Sequence, residues 1–103
     1  MNAPVTAILR NGLEDVINES ADIFTIKVFP NPTSSNSIIH IENATALATF
    51  KLFDNTGKLV VTKEKLRNGD FELDNSMHAS GIYYYQVFTT DNQQINGKLI
   101  IQK

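Results

Sequence analysis

Two β-forming runs late in the chain constrain its fold most: Gly81-Ile82-Tyr83-Tyr84-Tyr85-Gln86-Val87-Phe88 and Gly97-Lys98-Leu99-Ile100-Ile101-Gln102-Lys103. The polar stretch Thr90-Asp91-Asn92-Gln93-Gln94 separates them. Aromatic and β-branched residues suit a pleated, half-buried surface, while Asp and Asn suit a turn. The pair therefore predicts an antiparallel hairpin. An ordered final strand has to be tied into a sheet, because chain ends otherwise fray.

Upstream, the same grammar repeats. In Ile23-Phe24-Thr25-Ile26-Lys27-Val28-Phe29, alternation puts Phe24, Ile26 and Val28 on one face. Pro30-Asn31-Pro32 stops that strand, since each proline removes a ladder donor and pushes its predecessor towards extended geometry. After the polar loop Thr33 to Ser37, Ile38 to Glu42 predicts a second strand with Ile39 and Ile41 inward. Ala48 to Phe53 is a third, with Phe50 and Leu52 on the core face. Asp54-Asn55-Thr56-Gly57 is a hairpin turn signal, and Lys58 to Lys63 returns as a fourth strand. Arg67-Asn68-Gly69-Asp70 is another turn before the short fifth strand Phe71-Glu72-Leu73. The pattern predicts an all-β, immunoglobulin-like antiparallel β-sandwich of about seven strands, not a parallel α/β sheet.

Met1 to about Asp22 lacks this alternation. Leu13, Val16 and Ile17 have the spacing of one helical turn, which is marginal alone. Residues 1–22 are read as a linker, and residues 23–103 as the folded domain. A length of 103 residues suits one sandwich core. The N-terminus has neither the basic region nor the apolar run of a signal peptide, so an extracellular role would depend on a signal farther upstream. No run approaches the roughly 20 apolar residues that span a bilayer as a helix. The formal net charge of −2 argues against nucleic acid as a partner. With no cysteine, disulfides and thiol chemistry are excluded.

Catalytic constellations are weak. Asp54-Asn55-Thr56-Gly57 is one residue out of step with the Asp-Thr-Gly of aspartic proteases, and no second copy completes a dyad. His40 and His78, the two histidines, have no cysteine or close acidic pairing to complete a zinc site and are expected at the surface or rim. Asp70, Glu72 and Asp74 alternate along one strand face without the dense spacing of a calcium loop. Tyr83 and Tyr85 share one face of the sixth strand and Tyr84 takes the other. Core packing is expected of the pair, and an aromatic platform for sugar is the alternative use. No catalytic residue, cofactor or metal is predicted.

The order of the motifs says more than any one of them. Val28-Phe29-Pro30-Asn31-Pro32 precedes Lys51-Leu52-Phe53-Asp54-Asn55-Thr56-Gly57-Lys58-Leu59-Val60, then Ser80-Gly81-Ile82-Tyr83, then Lys98-Leu99-Ile100-Ile101-Gln102-Lys103. Over about Ile23 to Lys103 this resembles the type A C-terminal sorting domain of the type IX secretion system of Gram-negative bacteria. The resemblance implies a non-catalytic address. Cargo would cross the periplasm, meet the outer-membrane translocon, and be freed of the address by a sortase-like peptidase cutting in the preceding linker. The product would end at the cell surface or be secreted. Carried onto this chain, the motif positions are Pro30, Asn31, Pro32, Gly57, Lys58, Gly81, Tyr83, Lys98 and Lys103. The edge of the last strand, Lys98 to Lys103, is expected to offer backbone groups for strand addition by a partner. The competing reading is an immunoglobulin- or fibronectin-like accessory module that binds carbohydrate or a neighbouring domain of a secreted enzyme.

Overall fold

The computed structural model describes residues 23–103; the segment read as a linker lies outside them. Seven strands form: β1 (Thr25–Phe29), β2 (Ser37–Glu42), β3 (Ala48–Phe53), β4 (Leu59–Leu66), β5 (Gly69–Leu73), β6 (Gly81–Thr89) and β7 (Gln94–Ile101). They pair antiparallel into a three-stranded sheet, β1-β2-β5, and a four-stranded sheet, β4-β3-β6-β7.

The alternation expected from the sequence sets which side chains enter the space between the sheets. Phe24 and Val28, Ile39 and Ile41, Phe50 and Leu52, Leu73, Val87, Leu99 and Ile101 are buried together. Tyr83 joins them, Tyr85 packs partly against them, and Tyr84 points the other way at 47% exposure. Phe50 and Tyr85 stack with ring centroids 5.8 Å apart. Burying such side chains contributes about 1.5–3 kcal/mol each. That is why a strand of strict alternation has one register only: a one-residue slip would turn this face to water.

Strand boundaries differ from expectation in several places: β1 begins at Thr25, β5 begins at Gly69 within the expected turn, and the ends of β4 and β7 move farthest. The fourth strand runs to Leu66, and its register against β3 shifts between Ala48 and Phe50 and again between Leu52 and Phe53. Each shift places an extra residue on β4, and at the first of them Lys65 takes a left-handed φ of 59°. The last strand begins at Gln94, three residues before Gly97, because its first residues pair in full register with Phe88 to Gln86 of β6. Gly97 sits where only hydrogen fits: a Cβ there would overlap the Tyr85 ring across the strand pair.

Candidate functional site

Register brings the motif positions to one end of the sandwich. Phe29 and Ser37 flank the loop that contains Pro30, Asn31 and Pro32, and Ser37 pairs with Leu73, the last residue of β5. Phe53, at the end of β3, pairs with Tyr84 near the start of β6 and with Leu59 just beyond the Asp54–Gly57 turn. Gly81 pairs with Ile101, the last residue of β7. Loops 30–36, 54–58 and 74–80 therefore cluster with the last residues of the chain.

The Pro-Asn-Pro element does a specific job there. Both of its prolyl bonds are cis. Neither proline has an N–H, so Asn31 supplies hydrogen bonds through its side chain. Its Nδ2 donates to the Lys98 carbonyl at 2.6 Å, and its Oδ1 accepts the Ile100 N–H at 3.0 Å. The carboxamide thus stands in for one peptide unit of a missing neighbouring strand. Thr33 continues the line: its N–H donates to the Ile100 carbonyl at 2.9 Å, and its carbonyl accepts the Gln102 N–H at 2.8 Å. The Thr33 side chain is buried, accepting the Ser35 N–H at 3.1 Å. The expectation of an open edge from Lys98 to Lys103 is therefore corrected. From the Lys98 carbonyl to the Gln102 N–H the outward groups are already taken, by residues 67 or 69 positions earlier.

Behind this clip lies a polar anchor. Asn75 is fully buried. Its Nδ2 donates to the Ser35 carbonyl at 2.9 Å and its Oδ1 faces His78 Nδ1 at 3.2 Å, while its backbone N–H donates to Asn36 Oδ1 at 3.2 Å. Ser37 Oγ donates to the Pro30 carbonyl at 3.2 Å. His78, expected at the surface or rim, is buried, with its ring 5.6 Å from that of Tyr83. Burial holds the imidazole below its usual pKa, and the nearby Lys103 charge adds to this against the opposing Asp74. Tyr83 donates its hydroxyl to the Ala79 carbonyl at 2.7 Å. Lys103 closes the loop: its N–H donates to Ser80 Oγ at 2.9 Å and its Nζ to the Ser76 carbonyl at 3.0 Å. Tyr83 and Lys103 are in this way structural fasteners of the 74–80 loop.

Gly57 and Lys58 stand apart from that network. Gly57, at a φ of 89°, closes the turn by donating its N–H to the Asp54 carbonyl at 3.0 Å. One Asp54 carboxylate oxygen accepts the Thr56 hydroxyl at 2.6 Å, the Thr56 N–H at 2.9 Å and the Lys58 N–H at 3.0 Å. Those donors, the Thr56 hydroxyl foremost, hold its pKa low. The side chain stabilises a turn, as expected of a hairpin.

The acidic alternation disperses in the same way. Asp70 faces His40 Nδ1 at 2.5 Å, Glu72 accepts Asn36 Nδ2 at 2.9 Å, and Asp74 accepts the Ser76 N–H at 2.9 Å. Among the described residues no group of three or more His, Cys, Asp or Glu side chains converges as a metal site would require. Sequence reasoning missed Thr33, Asn75 and Ser37. Each is a small polar residue in or beside a loop, and nothing local distinguishes a buried one from a solvated one.

Two antiparallel sheets packed face to face make the molecule an immunoglobulin-like β-sandwich. A DUF3244 family protein from Bacteroides vulgatus, itself of immunoglobulin-like β-sandwich fold, overlaps it with a TM-score of 0.64 over 75% of this chain and 84% of that one. At 12% identity the likeness is one of fold alone. CopC from Methylosinus trichosporium OB3b overlaps more loosely, with a TM-score of 0.42 at 19% identity over 73% of this chain and 89% of that one. A search of curated proteins returns no match. The family model of the secretion system C-terminal sorting domain matches residues 27–102, and the chain belongs to that family, the sorting signals of the type IX secretion system. Membership implies a secreted or cell-surface protein that interacts with the type IX machinery.

Proposed function

We propose that residues 23–103 direct a protein joined at the Ile23 side through the outer-membrane type IX translocon, and that a sortase-like peptidase then cuts within residues 1–22. The domain acts as an address and not as a catalyst, and it passes through the periplasm folded. Pro30, Asn31, Pro32, Gly57, Lys58, Gly81, Tyr83, Lys98 and Lys103 are the positions through which the address is built or read.

One observation carries this reading: the motif end and the point of chain entry lie at opposite ends of the sandwich. Ile23 is held at the far end, where its carbonyl accepts Asn43 Nδ2 at 3.1 Å and Thr25 pairs with Glu42. At about 3.3 Å per residue, the nine residues of β6 put roughly 25 Å between the two ends. Cargo attached before Ile23 would leave the motif end unobstructed.

The test is export. Residues 1–103 are fused behind a signal-peptide-bearing fluorescent cargo. The fusion is expressed in a bacterium with a working type IX system and in its translocon-null strain. Cargo at the surface or in the medium of the working strain alone is the expected result, with the cut mapped by mass spectrometry to the segment before Ile23. Cargo retained in the periplasm of both strains with the domain folded would overturn the proposal and favour an accessory binding module.

A further inference from the structure

The outer face of the four-stranded sheet is unlike the rest of the surface. Cross-strand pairing sets Leu59, Phe53, Tyr84 and Lys98 in one row across β4, β3, β6 and β7. Ile82 lies next to Tyr84 on the same face, and Lys51 occupies the following row beside Phe53. Leu59 on β4 and Ile82 and Tyr84 on β6 are 44%, 41% and 47% exposed at the motif end, with Phe53 of β3 between them. Large apolar side chains exposed singly are ordinary, but grouped ones mark an interaction surface.

Charge is segregated between the sheets. The strands of the four-stranded sheet carry Lys51, Lys63, Lys65 and Lys98 against one carboxylate, Glu64. Those of the three-stranded sheet carry Lys27 against Glu42, Asp70 and Glu72. A net charge of −2 conceals a basic sheet on an acidic molecule. Lys51 and Lys98 lie on the outer face with the apolar group, and Lys98 stands directly opposite Tyr84. Among the described residues neither lysine makes a salt bridge.

The geometry points to this face as the surface by which the domain is read. Its partner would be a protein of the type IX machinery that presents apolar side chains inside a rim of carboxylates. The inference rests on the sorting role proposed above and places recognition on side chains of a sheet face, not on the backbone between Lys98 and Gln102, whose outer groups Asn31 and Thr33 already occupy. Aromatic and aliphatic side chains at the centre would supply most of the affinity, and the lysines orientation and encounter rate.

The test uses the same export fusion with two sets of substitutions. Tyr84→Thr with Ile82→Thr removes the apolar centre while keeping residues that suit a strand. Lys51→Glu with Lys98→Glu reverses the rim and keeps Leu59, Ile82 and Tyr84 in place, while removing the Lys51 ammonium from over the Phe88 ring. Each set is expected to lower export roughly tenfold or more. The purified variant domains should keep the far-ultraviolet circular dichroism of the unaltered domain and melt within a few degrees of it. Export of both sets at the unaltered level would overturn the inference and leave the sorting role intact. Failure of the unaltered fusion to depend on the translocon would instead remove the sorting role and this inference with it. Sedimentation supplies a further check. A dimer of the purified domain that Tyr84→Thr dissociates would show the face to be occupied by a second copy, which also overturns it.

Discussion

Replacing Asn31 separates the clip on the last strand from the strand itself. Asn31→Ala deletes the donor to the Lys98 carbonyl and the acceptor of the Ile100 N–H. A typical net contribution is about 0.5–1.5 kcal/mol per hydrogen bond, and because Asn31 is exposed, water can replace its partners. The expected loss is therefore about 1–2 kcal/mol in all, or a melting temperature lower by roughly 5–15 °C in a domain of this size. Asn31→Asp sharpens the test. Ionised, the new carboxylate still accepts from Ile100 but faces the Lys98 carbonyl without a proton to give. Protonated, it donates and accepts as the carboxamide does. Its folded pKa is thus raised above the ordinary value of about 3.9, and such a group contributes stability at low pH that is lost as pH rises through the folded pKa. Urea midpoints of the two variants should place Asp at or below Ala near neutral pH and above it near about pH 3. Hydrogen exchange of the Ile100 amide should be faster in Asn31→Ala. Equal midpoints for Asp and Ala at both pH values, or an unaltered Ile100 exchange rate, would refute the view of Asn31 as a surrogate strand.

Two other outcomes are expected. Gly97→Ala should destabilise by about 1–3 kcal/mol because the new Cβ meets the Tyr85 ring, and in a Tyr85→Ala background the same change should be neutral or stabilising, as a double-mutant cycle in urea will show. His40 has its pKa raised, first by the hydrogen bond to Asp70 and then by the charges of Asp70 and Glu42, so its stabilisation is complete below about pH 6.5 and is lost as pH rises through the raised value. The urea-midpoint difference between the unaltered domain and His40→Gln should accordingly shrink from about pH 5.5 to about pH 8; His78, shifted the opposite way by burial, is present in both and cancels.

What the sequence disclosed was whatever repeats every second residue. Ile39 and Ile41, Phe50 and Leu52, and the split of Tyr83 and Tyr85 from Tyr84 all follow from alternation, and burial bears them out. The start of β7 was hidden because Gln94 and Asn96 are polar on an outward face, where a strand looks like a loop. The two bulges of β4 were hidden because the extra residues, unlike a Gly, carry no conspicuous side-chain signature. Asn31 was singled out as part of a motif, but its partners lie 67 and 69 positions away, and no local pattern encodes such a pairing. The charge segregation was invisible for a related reason. Lys51 and Lys98 become neighbours of one face only when β6 is threaded between β3 and β7.

The opposed placement of Ile23 and the motif end also has a mechanical meaning. A pull between cargo on one side and a docked face on the other runs along the strands. The ladder from Thr25–Glu42 to Phe29–Ile38 then lies across the load. Antiparallel hydrogen bonds are perpendicular to their strands, so tension would shear this ladder as a unit instead of peeling it bond by bond. Rupture under force follows the unfolding rate and not the equilibrium stability. A sandwich loaded this way can transmit traction to what it tows before β1 is torn from its sheet.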